Sequence, residues 1–263
     1  MKGAINNDII EITLWQFAIV YILLLVILVI MKICKVKKTK LLVIASMRMT
    51  VQLVLAGLVL TYILNNEHWA FTLGYLLLMT GFAIFMVLWR NRKLNPRFKL
   101  IIAASLAGAG LSTVTFFILA IVGASFFDPR YTIPISGMII GNAMTGVTLG
   151  LKAFNENIAA GKTQIETLIN MGSTPQKTLQ PFANTSLQTA ILPTLQSMLG
   201  MGIISLPGMM TGQILSGTLP MTAILYQISI LITISATVCL AVFFSLFFGF
   251  RTLYNKRMQL CLK

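Results

Sequence analysis

Between Ile12 and Ile33 the chain reads ITLWQFAIVYILLLVILVIMKI, with Lys32 its one charged side chain. A helix of about 20 such residues crosses the roughly 30 Å hydrocarbon core of a bilayer, and this run is too long for an ordinary buried core helix. Six further apolar runs follow, over residues 41–64, 69–89, 100–127, 132–151, 184–206 and 221–250. Inside hydrocarbon every backbone N–H and C=O must be satisfied within the structure, so each run is read as a helix. The expected fold class is therefore an all-α integral membrane protein of about seven transmembrane helices, with residues 1–263 forming a single membrane domain. The first run is expected to be a retained helix rather than a cleaved leader, because Asp8 and Glu11, not a basic segment, precede it.

Only 10% of the residues are charged and 57% are hydrophobic, against about 25% charged in a soluble domain. A net charge of +14 would suit nucleic acid if it formed a surface patch. Instead the basic residues cluster in short runs beside apolar segments, KICKVKKTK at 32–40, RNRKLNPRFK at 90–99 and the tail RTLYNKRMQLCLK, where they orient spans. No nucleic-acid partner is expected. If the links after the first, third and fifth runs and the C-terminus face the cytoplasm, all Lys and Arg except Lys2, Arg130 and the intramembrane Arg48 lie on that side. Asp8, Glu11, Glu67 and Asp128 fall on the other. The positive-inside rule then places the N-terminus out and the C-terminus in, in a multi-pass cell-membrane protein. Cys34, Cys239 and Cys261 are widely separated and lack metal or redox spacing.

One polar segment of length interrupts this pattern, KAFNENIAAGKTQIETLINMGSTPQKTLQPFA at 152–183, on the cytoplasmic side. Thr163-Gln-Ile-Glu166 matches a capping box, Gly172 a helix stop, and Thr174-Pro175 an N-cap followed by proline at the first helical position. Two short helices meeting at a turn are expected. In the first, Ile165, Leu168 and Ile169 share one face while Glu166 and Asn170 share another, as in an amphipathic surface helix. Gly161-Lys162-Thr163 is not a nucleotide-binding loop, since Glu156 stands where the first glycine should be and no strand precedes it. With one histidine, His68, and no nucleophile–base pairing, no catalytic site is expected.

Within the spans, Arg48 is costly unless it faces protein, water or the headgroups, so it is read either as part of an inward polar stripe with Gln52 and Gly57 or as a snorkelling side chain. Gly137, Gly141, Asn142, Thr145 and Gly146 form a second stripe suited to helix packing or to pathway lining. Leu206 to Gly217, with Pro207, Gly208, Gly212, Gln213 and Gly217, cannot sit in one continuous helix; it is read as a gate or hinge, a re-entrant segment, or a turn. Glu67, His68 and Asp128, expected outside, are hard or intermediate metal donors and the candidates for a metal, but spacing closes no ligand set. The methionines, Met198, Met201, Met209 and Met210 among them, suit adaptable packing.

Glu166-x5-Gly172-Ser173-Thr174 resembles the coupling-helix motif of ABC-transporter permeases. Three longer stretches are more specific: Arg48-x3-Gln52-Leu53-x3-Gly57; Asp128-Pro-Arg-Tyr131 through Ile133-Pro134-x2-Gly137-Met138-x2-Gly141-Asn142; and LPGMMTGQILSG at 206–217 with Tyr226-Gln227-Ile228. Together they resemble the FetB-type family of iron-export ABC permeases, related to plant permease subunits associated with aluminium tolerance. The resemblance implies a permease that forms a homodimer and works with two copies of a separate ATPase, in which ATP and Mg reside; no cofactor is implied for this chain. It implies Glu166, Gly172, Ser173 and Thr174 at the ATPase contact, while the polar and broken stretches read above make Arg48, Gln52, Asn142, Pro207, Gly208 and Gln213 the candidates for a pathway or gate. Its suggested cargo is iron for bacteria and a nucleotide sugar for the plant complexes. A stand-alone secondary transporter would ordinarily need an intramembrane carboxylate, and every acid here lies in a loop or near a span end.

Overall fold

The computed structural model describes residues 13–254 except 37, 67 and 93. Helices account for most of them: α1 (Leu14–Ile33), α2 (Thr39–Asn65), α3 (Trp69–Arg90), α4 (Pro96–Phe116), α5 (Pro129–Ala160), α6 (Lys162–Asn170), α7 (Pro175–Gly200), α8 (Gly208–Leu215) and α9 (Pro220–Gly249). The helix starts follow from local chemistry. Proline opens α4, α5, α7 and α9, where its missing N–H costs nothing. Asp128 caps α5 by accepting from the Arg130 amide, and Thr13 with Gln16 forms a reciprocal capping box on α1. α4 continues into a π-helical turn, Phe117–Val122, that Gly123 ends at φ +70°.

Six of these helices among the described residues are long and apolar enough to cross a membrane: α1, α2, α3, α4 with its π turn, α5 and α9. The expected seventh span, 184–206, falls largely in α7, which is 26 residues long but below the apolarity of the other six. The chain is a multi-pass membrane protein.

The chain divides into two compact units. The first holds α1 and α2, joined by a hydrogen bond between Tyr21 Oη and Thr50 Oγ1 at 2.6 Å. The second runs from His68 onward, apart from residues 215–217, and contains the core. Here α5 is the central element, packed against α3, α4, α7 and α9. Residues one helical turn apart provide its seam: Ile139, Ala143, Val147, Leu151 and Phe154 are all buried. From α9, Val238, Ala241, Val242 and Leu246 meet it, and from α4, Phe98, Ile102 and Leu106.

Water drives little of this association, because lipid is as apolar as leucine; close packing and interhelical hydrogen bonds replace it. At Gly146 an added Cβ would stand 2.6 Å from Val238 Cγ1, and at Gly249 it would stand inside the Phe98 ring contact. The Thr237 hydroxyl donates to Thr113 Oγ1 at 2.8 Å, linking α9 to α4, a bond worth about 0.6 kcal/mol in this setting.

Three of the expected features of the polar segment are corrected. α5 does not stop at Leu151 but continues to Ala160, so its 32 residues reach about 48 Å, well past the hydrocarbon. The second of the two short helices is instead the start of the long α7. The Thr163 capping box is not formed either, since Gly161 is the N-cap of α6, two residues earlier, and no side chain caps its first turn.

Candidate functional site

α6 is the best-defined surface element. Ile165 is fully buried, Leu168 and Ile169 are half-buried, and Glu166 and Asn170 are exposed, as the helical spacing predicts. Glu166 lies 3.8 Å from Lys162 one turn earlier, with 57% of its side chain exposed, so this ion pair is solvated and worth little. It leaves the carboxylate at the surface. The turn behind α6 is tightly specified. Gly172 adopts φ +87°, a left-handed conformation that costs glycine nothing. Its N–H donates to the Ile169 carbonyl at 2.9 Å, and that of Ser173 to Leu168 at 2.9 Å. Thr174 is the N-cap of α7 by backbone geometry, and Thr178 donates to both the Ser173 hydroxyl and the Thr174 carbonyl at 3.1 Å.

This turn is fastened to its surroundings. Asn157 of α5 donates to Ser186 of α7 at 3.4 Å, and with its amide oxygen toward Arg251, Gln176 accepts from that guanidinium at 2.9 and 3.2 Å. Asn95 Nδ2 donates to the Thr252 carbonyl at 3.4 Å. The α3–α4 link, α6 and the end of α9 thus share one end of the second unit, and Arg90, Arg92, Arg97, Lys162, Lys177 and Arg251 gather there. At the other end stand His68 and Asp128. The Trp69 and Phe127 rings meet at 6.1 Å, and Thr72 donates to the Phe127 carbonyl at 3.1 Å.

The metal candidates serve as helix caps here. His68 Nδ1 accepts from the Ala70 amide at 3.2 Å, and Asp128 Oδ1 from the Arg130 amide at 3.0 Å. Glu67 lies outside the described residues, among which no three His, Cys, Asp or Glu side chains converge.

A second feature sits between α5, α7 and α9: a cleft of about 200 Å³ lined by Asn142, Thr145, Thr194, Ser197 and Met201 together with apolar side chains. Asn142 and Thr145 are exposed to it and donate to the Met138 and Gly141 carbonyls. The small-residue stripe of α5 therefore divides. Gly137 and Gly146 pack against Met79 and Val238, while Asn142 and Thr145 face open space. Pro193 also lines the cleft; inside α7 it has no N–H to offer the Thr189 carbonyl four residues back.

Sequence reasoning missed the outer face of α7. Thr185, Thr189 and Gln196 are exposed there, and their spacing of four and seven residues puts them on one stripe. The signal was in the chain, a polar stripe at helical period within a stretch read as a span.

The helix is broken ahead of Pro207, since α7 ends at Gly200 and Gly208 already lies in the next helix. After Gly200, residues 201–207 turn through Gly202 at φ +87° and α8 follows, closed by Gly217 at φ +92°. Gly212 and Gln213 lie inside α8 rather than in the break. Gln227 of α9 donates to Met201 Sδ at 3.8 Å beside this turn. Arg48 and Gln52 are exposed one turn apart on α2, in the first unit.

These features define a multi-pass α-helical membrane protein with a short amphipathic helix held at its basic end and a polar cleft among its spans. The chain belongs to the uncharacterised protein family UPF0014, whose family model matches residues 14–254. It is similar to the UPF0014 membrane protein YjkA of Bacillus subtilis, at 34% identity over 83% of this chain and 86% of the relative. It is also similar to the Escherichia coli protein named "Probable iron export permease protein FetB", at 34% identity over 81% of each. Protein ALUMINUM SENSITIVE 3 of Arabidopsis thaliana is 35% identical over 70% of this chain and 66% of its own length. The resemblance carried by the three motif stretches is thereby borne out. No solved structure gives a significant match.

Proposed function

We propose that this chain is the membrane-spanning permease subunit of an ABC transporter, driven by a separate ATPase that docks on α6, with a metal ion as the exported cargo. The observation that carries the reading is α6 itself. It buries Ile165 in the bundle, presents Glu166 outward, and packs on α5 and α7, which are joined to each other by Asn157–Ser186, while Gln176 joins α7 to Arg251 beyond α9. A push on such a helix bears on α5 and α7 together rather than on one loop. Its position at the basic end assigns it to the cytoplasm by the positive-inside rule, where ATP and Mg are held by the partner.

The exposed polar face of α7 supports a homodimer. The Thr185 and Thr189 hydroxyls donate to the Pro181 and Thr185 carbonyls of their own helix, but an exposed amide such as that of Gln196 is costly against lipid, and this favours a second copy or a water-filled path between two copies along the stripe. The broken segment 201–207 with α8 and the Met201–Gln227 contact then serve as the gate, because non-helical backbone at membrane depth belongs beside a cavity.

Iron as cargo rests on the name of the Escherichia coli relative. One observation favours a second reading: no carboxylate or imidazole lines the cleft, and amides and hydroxyls suit a hydrogen-bonding solute such as a nucleotide sugar better than a bare ferrous ion. Flux in vesicles holding the chain and its ATPase, measured with iron and with a nucleotide sugar, tests both. ATP-dependent movement of iron supports the first cargo, movement of the sugar alone supports the second, and movement of neither in an ATP-hydrolysing complex contradicts both.

A further inference from the structure

A second cavity, of about 390 Å³, opens between α4 and α9, away from the cleft and from α6. Its floor is made by Ala104, Ser105, Gly108 and Ser112 of α4 and its wall by Phe244 and Phe248 of α9. From Ile101 to Ser112 the groove runs roughly 16 Å along the helix axis, about half the hydrocarbon thickness of a bilayer. It is therefore as long as one leaflet is deep. It also begins at the correct level, since Ile101 lies one turn inside the basic end.

Two guanidinium groups stand at that mouth. Arg97 is exposed and, four residues before Ile101 and eleven before Gly108, shares their helix face. Arg251 lies over the Phe248 ring, 5.7 Å from its centroid, and is held there by Gln176, which engages only part of its five-donor fork. The neighbouring cations are differently employed: Arg92 stacks on Trp89 at 5.1 Å, and Lys99 donates to the Arg92 carbonyl at 2.7 Å. The described acids at this end, Glu156 and Glu166, pair with Lys152 and Lys162.

We infer that the α4–α9 groove binds an anionic phospholipid of the leaflet at the basic end, one acyl chain lying against Gly108 and Phe244 and the phosphate held between Arg97 and Arg251. Charge selects this occupant. An apolar slot alone would take any lipid or a second copy of the chain, but two arginines at headgroup depth favour a phosphodiester without a compensating cation.

The test uses the full-length purified chain in detergent, with dioleoyl phosphatidylglycerol or dioleoyl phosphatidylcholine added and bound lipid counted by native mass spectrometry. The wild type is expected to retain phosphatidylglycerol about tenfold more strongly. Arg97→Gln should erase most of that preference, whereas Lys177→Gln, an exposed cation at the same end but off the groove, should leave it unchanged. Gly108→Leu should lower occupancy of both lipids by filling the slot, since an added Cβ at Gly108 enters open space with nothing within 4 Å. Equal retention of the two lipids by the wild type would overturn the inference, as would equal losses from Arg97→Gln and Lys177→Gln. So would a Gly108→Leu variant that changes the number of chains in the particle while its lipid count stays fixed, because the groove would then belong to a second copy.

Discussion

Gln176, in the first turn of α7, accepts two hydrogen bonds from Arg251 at the end of α9, from Nε at 2.9 Å and Nη2 at 3.2 Å. The pair closes a ring of short connections at the basic end, in which the turn behind α6 is braced against the last span. Gln176→Leu keeps the side chain's bulk and removes its acceptor. At this exposed position the expected cost is about 1 kcal/mol, read as a lower unfolding temperature in detergent. An unchanged midpoint would show that the brace bears no load.

Closer packing just above that pair gives a larger effect. A Cβ at Gly249 would overlap the Phe98 ring, so Gly249→Ala is expected to destabilise by about 1–3 kcal/mol through overpacking. Adding Phe98→Leu makes room, and the double variant should recover part of the loss. Strictly additive losses in a double-mutant cycle would contradict the contact.

The spans and helix stops were legible in the chain because their physics is local. Six of the seven long apolar runs became helices apolar enough to span, Gly172 takes the left-handed turn its position implied, and Thr174-Pro175 starts a helix. What was not legible depended on neighbours. Residues 152–160 look like loop by polarity, yet they continue α5 because Ile158 and Phe154 are buried on the same face as Leu151. The spacing of Thr163 and Glu166 implies a capping box, yet Gly161 is the N-cap of α6 and Glu166 pairs with Lys162 instead. The division of the α5 stripe, Gly146 inward and Asn142 outward, could not be read without knowing where Val238 stands.

Water accessibility separates the outer face of α7 from lipid-facing surface. In a background with Cys34, Cys239 and Cys261 replaced, cysteine at Thr189 or Gln196 is expected to react with a membrane-impermeant maleimide added to opened vesicles. Cysteine at Ile232, an exposed apolar position of α9, should not. Equal protection at all three sites would place the α7 stripe in a dry environment and remove the support for a pathway or a wet dimer interface.

Just beyond the last span, burial pushes the Tyr254 phenol up from 10.0 to about 12. The folded chain therefore keeps this proton between those values, where the unfolded chain has lost it. Its contribution to stability is complete below pH 10 and disappears as pH rises through about 12. Thermal unfolding followed from pH 9 to 12.5 should fall more steeply for the wild type than for Tyr254→Phe; parallel curves would rule out a buried phenol.

Coupling through α6 requires that this helix lie within reach of a cytoplasmic motor, and side-specific labelling of a single cysteine at Asn170 measures this directly. An impermeant maleimide should leave it unmodified in intact cells and modify it fully once the membrane is opened. Full modification in intact cells would put α6 outside, out of contact with any ATPase, and contradict the proposed coupling.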